Sequence, residues 1–173
     1  DDYIEMPASP DFNTLQNGSY TLAAWVKLAG APTGKDNHNN SAFAVVMKQG
    51  GLSGLLIDQD CRAAGSHVFG DGVTIRVTHS VAIRPGAFHH LAFVFDLKKG
   101  TTVVYVNGVP GDESSFKPNK PARESGMARW RIGIANPGAE HHRWPMHGII
   151  DDVRVYGRAL TYEDVQALYR KPR

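Results

Sequence analysis

The sequence predicts an all-β domain, two packed antiparallel sheets with one short C-terminal helix, on three observations. Short runs that alternate apolar and polar residues recur along the chain and are separated by turn residues. Glycine and proline are frequent, 18 and 10 of 173 residues, as many tight turns require. Only one segment, near the C-terminus, carries a full set of helix signals. A chain of this length can bury its own core, so residues 1–173 are expected to form a single domain, excised from a larger multidomain protein.

The elements follow in order. Tyr20 to Leu28 reads as a strand, with Trp25 assigned to the core by its place in the pattern. Lys35 to Ser41 is a polar, Asn-rich loop, Ala42 to Lys48 a second strand and Gly54 to Asp58 a third. His67 to Val77 predicts a hairpin turning at Asp71-Gly72. Leu91 to Asp96 and Thr101 to Val106 form the clearest strand pair, with Lys98 and Lys99 as charges that blunt an edge. Asn107-Gly108 is a type I′ turn signal, because both central positions need positive φ. Asp112 to Arg129 is a polar excursion, Arg131 to Ile134 resumes strand character, and Ile149 to Tyr156 is the last strand. The helix starts at a Thr161 cap, places Glu163 and Asp164 in its first turn, and has Leu160 and Val165 as a hydrophobic staple.

Composition excludes several classes. No apolar run approaches the roughly 18 residues of a membrane span, so membrane insertion is not expected. No signal peptide opens the chain. Lys and Arg are scattered, and a formal charge of +2 does not predict a nucleic-acid partner. The eight histidines would make the chain strongly cationic near pH 5, a bias toward acidic partners. The single Cys61 forms no internal disulfide and reads as a semi-buried hydrophobe rather than a reactive thiol.

Several segments together resemble the laminin-G-like, concanavalin A-like lectin/glucanase superfamily. They are Asp1 to Pro10, Tyr20 to Lys27, Phe88-His89-His90-Leu91-Ala92, Val104-Tyr105-Val106-Asn107-Gly108, Arg131-Ile132-Gly133 and, most specifically, Gly148-Ile149-Ile150-Asp151-Asp152-Val153-Arg154-Val155-Tyr156-Gly157-Arg158-Ala159-Leu160-Thr161. Phe88 stands where the family pattern has tryptophan, and Gly157 where it has asparagine. The resemblance implies a jelly-roll sandwich, a secreted or cell-surface location, and service as a module tethered to a catalytic or surface domain. It also implies a structural calcium joining the first strand to the last: Asp2, with Asp1 beside it, and Asp151 or Asp152. Neighbouring carboxylates on a strand point to opposite faces, so only one of that pair can ligate directly while the other pairs with Arg154 or accepts backbone N–H groups. The alternative is that all these aspartates only accept hydrogen bonds.

The enzymes of this fold are recognised by carboxylate patterns. Its glucanases carry Glu-x-Asp-x-x-Glu and its lyases Arg-Glu-Leu-Arg, and neither occurs here. Asp58 and Asp60 are spaced i, i+2 without a partnering glutamate, although a retaining glycosidase needs two carboxyls about 5 Å apart. A zinc set would have to come from Glu140, His141 and His142, and solvated or ligand-contacting histidines are the simpler reading there.

Sugars are recognised by aromatic faces and planar polar groups, and acidic sugars by Arg or Lys as well. His141, His142, Arg143 and Trp144 form such a cluster in a loop, and Trp130 lies between Arg129 and Arg131, with a core position as its alternative. Arg62, His67, Arg76 and His79 come from a region whose strands could share one concave sheet. The expected function is therefore a non-catalytic, monomeric carbohydrate-binding module of a polysaccharide-acting protein, with a lean to acidic or sulfated glycans. A protein–protein adhesion module without a sugar site, and a hydrolase or lyase with an unrecognised site, are the alternatives.

Overall fold

The computed structural model describes residues 2–32, 42–48, 53–123, 128–138 and 143–171. Its strands are β1 (Ile4–Glu5), β2 (Tyr20–Leu28), β3 (Phe43–Lys48), β4 (Ser53–Ile57), β5 (Arg62–Val68), β6 (Thr74–Ala82), β7 (Phe88–Asp96), β8 (Thr101–Val106), β9 (Val109–Pro110), β10 (Ser114–Ser115), β11 (Trp130–Ile132) and β12 (Gly148–Tyr156). Two helices join them, α1 (Pro10–Thr14), which runs into a 3-10 turn at Leu15–Asn17, and α2 (Tyr162–Arg170). A front sheet has the order β1-β11-β3-β4-β5-β6 and a back sheet the order β10-β8-β7-β2-β12, with β9 on β8. This is the jelly-roll sandwich with a C-terminal helix that the sequence predicts.

The inner faces of the two sheets make the main core: Tyr20, Leu22, Ala24, Val26 and Leu28 from β2 meet Phe93 and Phe95 from β7, and Leu55, Ile57 and Val77 from the front sheet. β2, β3 and β4 read as almost unbroken apolar runs because their outer faces are covered too. On the back sheet the cover is α2, whose Val165 packs with Leu160 on Ala23, Ala92, Val94 and Tyr105. Thr161 and Asp164 close a full capping box at the start of this helix. On the front sheet Ala44, Met47, Leu56 and Ala64 pack with Ala135 and Trp144.

The turns follow their sequence signals. Asn107 and Gly108 take φ of 51° and 77°, and the Asn107 Oδ1 accepts the His90 N–H at 2.9 Å, which ties the turn to β7. At the β5–β6 turn Asp71 Oδ1 accepts the Val73 N–H at 3.1 Å and Gly72 takes φ of 82°. The polar excursion is pinned to the sandwich: Phe116 stacks on Phe95 at 4.9 Å, and Ala122 pairs with Phe69.

Four expectations are corrected. The N-terminal segment is strand only at Ile4–Glu5, and Ser9 then caps a short helix at Pro10. That helix is held from inside the sandwich, since Trp130 Nε1 donates to the Phe12 carbonyl at 2.9 Å and the buried Lys48 Nζ to the Asn13 carbonyl at 3.2 Å. Trp25 is not in the inter-sheet core: it lies on the outer face of β2, where Tyr169 of α2 stacks on it at 5.8 Å. Lys98 and Lys99 blunt no edge, because they sit in the turn between the interior strands β7 and β8, where Asp96 Oδ1 accepts both their N–H groups. The strongly cationic state near pH 5 is reduced, because burial pushes His67 and His90 down to about 4.

Candidate functional site

The front sheet's outer face is built by register. One row of cross-strand neighbours runs Glu5, Arg131, Met47, Gly54, Ser66, Arg76 across all six strands. The next row runs Ala44, Leu56, Ala64, Thr78. Alternation along β5 puts Arg62 on the same face as Ala64 and Ser66. The central strands therefore contribute mostly small side chains, and guanidinium groups stand on both flanks. On the β6 flank Arg62 and Arg76 are exposed, and neither guanidinium has an ion pair or hydrogen bond among the described residues. On the β1 flank Glu5 takes Arg131 at 2.6 Å and Arg129 at 3.1 Å, so those two cations are held in place by one carboxylate.

The segment 143–147 lies against this sheet on backbone bonds. Trp144 accepts the Ala44 N–H at 2.9 Å, Arg143 accepts the Ala135 N–H at 2.9 Å, and Met146 donates to the Gly133 carbonyl at 2.8 Å. Trp144 takes φ of 47°, and its half-buried ring packs on the apolar patch around Ala44 and Ala64, while Arg143 is exposed. Trp144, Arg62 and Arg76 thus come to one face, with Arg143 next to Trp144 in the chain. His141 and His142 lie outside the described residues.

Two of the expected ligand contacts are core residues instead. Trp130 is 1% exposed, with its indole N–H spent on α1. His67 is 0% exposed; it stacks on Phe95 at 4.0 Å and its Nδ1 hydrogen-bonds with Tyr20 Oη at 3.2 Å and Ser53 Oγ at 3.3 Å. His79, 3% exposed, turns to the β9 side of the sandwich rather than to the Arg62–Arg76 face. The cause is the period of two: Arg62 and Arg76 alternate out where His67 alternates in.

Of the implied calcium ligands, Asp1 lies outside the described residues, and Asp2, Asp151 and Asp152 do not gather into a cluster by themselves. Among the described residues no three His, Cys, Asp or Glu side chains come together to hold a metal. Asp152 gives both carboxylate oxygens to Arg154, each at 2.9 Å, and Asp151 Oδ1 accepts the Asp152 N–H at 2.8 Å. Asp151 pairs with Trp25 and so faces outward from the back sheet, whereas the exposed Asp2 has its backbone carbonyl beside Gly133. The bulge at Asp151–Asp152, with Asp152 at φ 46°, is stabilised by its own hydrogen bonds and by Arg154.

Other carboxylates also have structural duties. Asp58 Oδ1 accepts the N–H groups of Asp60 and Arg62, so the i, i+2 pair is a turn device.

Solved structures share this fold. A candidate carbohydrate binding protein from Bacteroides ovatus ATCC 8483 superposes with a TM-score of 0.72 at 19% identity, covering 95% of this chain and 43% of that one. The heptameric SAP-like pentraxin of Limulus polyphemus gives 0.62 at 17%, covering 87% and 69%. The Trypanosoma rangeli sialidase in complex with sialic acid gives 0.62 at 16%, covering 90% of this chain and 23% of the sialidase. This chain therefore spans less than half of the Bacteroides protein and under a quarter of the sialidase. No curated protein matches the chain. The laminin-G profile of the concanavalin A-like lectin/glucanases superfamily matches residues 1–166, and the chain belongs to that family.

Proposed function

We propose that this domain is a non-catalytic carbohydrate-binding module that holds an acidic or sulfated glycan on the outer face of the front sheet. The observation that carries the reading is the shared face: the exposed guanidinium groups of Arg62 and Arg76 stand at one flank of small side chains, and Trp144 with Arg143 lies over the same sheet. Guanidinium groups match carboxylate or sulfate oxygens in pairs, and the uncovered part of the indole offers a surface for sugar C–H groups. The mechanism is passive. A module tethered to a secreted polysaccharide-acting protein raises the local concentration of glycan at its partner domain. The duties of Glu5, Asp58 and Asp152 in ion pairs and turns speak against a catalytic carboxylate pair among them.

The test is retention on immobilised acidic and neutral polysaccharides, with polymer length checked afterwards. Wild type should be retained by an acidic polymer, released by salt, and leave the polymer intact. Arg76→Ala and Arg143→Ala should each weaken retention about fivefold, the scale of one exposed charge pair. Variants that bind like wild type would move the site elsewhere; shortened polymer would mean an enzyme; silence on every glycan would favour adhesion to a protein.

A further inference from the structure

The polar excursion delivers one more arginine to the front sheet. Ala122 bridges Phe69, the Gly70 N–H donates to the Pro121 carbonyl at 2.9 Å, and the Arg123 N–H donates to the Val68 carbonyl at 3.0 Å. Residues 121–123 therefore lie antiparallel beside the end of β5, with Ala122 opposite Phe69 and Arg123 opposite Val68. Ala63 and Phe69 belong to the inter-sheet core, and between them Gly65 abuts Phe93 and His67 stacks on Phe95. Alternation turns Arg62, Ala64, Ser66 and Val68 to the outer face, and Arg123 shares the side of its partner Val68. Arg123 is exposed, and its guanidinium has no ion pair or hydrogen bond among the described residues. Its backbone is held independently of that side chain, since Gln16 Nε2 donates to the Arg123 carbonyl at 2.8 Å.

We infer that Arg62, Arg76 and Arg123 form one track for an internal stretch of a linear acidic polysaccharide lying along the β5–β6 hairpin. Arg62 stands at the start of β5, Arg76 beside Ser66, and Arg123 beside Val68 at the end of the strand. β5 is seven residues long, a rise of about 20 Å, so no single sugar ring reaches all three arginines and an extended chain does. Each guanidinium then takes a carboxylate or sulfate on a different sugar unit, as a paired contact. Thr78 and Thr74, paired with Ala64 and Val68, add hydroxyls on the same face. Of the acids at the two ends, Asp58 gives Oδ1 to the N–H groups of Asp60 and Arg62, Asp60 is exposed, and Asp71 pairs with Lys120 at 2.8 Å. Three cations over such a length are far sparser than the one charge per roughly 1.7 Å of duplex DNA, and they suit a polymer charged on separate sugar units. The inference rests on the glycan-binding reading for the location of the face; it adds a residue, a direction, and recognition of chain interiors rather than ends.

The experiment is titration calorimetry of the whole chain with a dimer and an octamer of galacturonate, and with heparin fragments of the same two lengths. In at least one series the octamer should bind about twentyfold tighter than the dimer, because only the octamer reaches two further arginines, each the scale of one exposed charge pair. The series that responds names the anionic group. Arg123→Ala should weaken the octamer about fivefold, make its salt dependence shallower and leave the dimer nearly unchanged. Arg123→Lys, which keeps the charge but not the paired geometry, should lose less. The melting temperature of both variants should match wild type, since the backbone bonds of residues 121–123 do not use the side chain. Equal affinities of dimer and octamer would overturn the track, and so would an Arg123→Ala octamer affinity equal to wild type. In that second case a loss in Arg76→Ala would leave the arginine face standing, which separates the two readings. A single-stranded oligonucleotide of equal charge that binds as tightly as the octamer would assign the track to nucleic acid and overturn it as well. No binding of any oligomer would remove the face and the track together.

Discussion

His67 and His90 are 0% and 3% exposed, and burial pushes both imidazoles down to about 4; at His90 the nearby Asp152 raises and Arg154 lowers the balance further. In the unfolded chain the same groups titrate near 6.5. Between these values the unfolded chain binds more protons than the folded protein, so stability is fully present above about pH 6.5 and declines as pH falls toward about 4. Each histidine contributes a slope of about 1.4 kcal/mol per pH unit inside that window. Denaturant titrations at a series of pH values should show this fall, and His67→Gln should roughly halve it. Stability constant from pH 6.5 to 4.5 would show that the imidazoles are protonated without cost. Cys61 follows the same physics with the opposite sign: burial, then Asp58 and Asp60, push its thiol up, which fits the inert, half-buried reading of a lone cysteine.

At the scale of elements, two glycines are required for different reasons. Gly108 closes the β8–β9 turn at φ 77°, and an added Cβ would sit 2.7 Å from Gln166 Nε2, which itself donates to the Gly108 carbonyl at 2.6 Å. Gly65 in β5 has an ordinary φ, but a Cβ there would overlap the Phe93 ring of the opposite sheet. Gly108→Ala should cost about 1–2 kcal/mol through the left-handed backbone. Gly65→Ala should cost about 1–3 kcal/mol through overpacking alone. Chemical denaturation checks both. Pairing Gly65→Ala with Phe93→Leu should recover part of the loss, because the Leu side chain frees the space; no recovery would mean that the sheets do not approach there.

For the molecule as a whole, α2, the 143–147 segment and the pinned excursion cover surfaces that a bare sandwich would leave wet. Each end of the fold is anchored in its own sheet by backbone pairing, β1 on β11 in the front sheet and β12 on β2 in the back sheet. Among the described residues no carboxylates gather into a metal cluster, and chelation is expected to leave the melting temperature unchanged, as scanning calorimetry with and without EDTA and calcium would show. A drop on chelation, with calcium found in the purified protein, would mean that Asp2 and Asp151 or Asp152 do come together. Among the described residues no helix is long and apolar enough to cross a membrane.

The sequence by itself determined the architecture, the hairpins and the capped helix, because these rest on local chemistry: alternation with a period of two, positive φ at Asn107-Gly108, and Thr161 with Asp164 at a helix start. It also placed Arg62, Arg76, Arg143 and Trp144 among the candidate contacts, since their strands and loop were legible. Only the tertiary structure decided which side of each strand faced out. β3 and β4 are apolar on both faces, so composition could not tell the inter-sheet core from the covered outer face, and His67 and Trp130 fell inside where a polar atom or indole N–H finds a partner across the sandwich. The short helix at Pro10 carried its Ser9 cap in plain view, yet five residues are too few to be stable alone; carbonyl partners from Trp130 and Lys48, more than thirty residues away in sequence, are what hold it. The place of Arg123 beside Val68 likewise exists only because the excursion crosses back to β5, a juxtaposition no local pattern records.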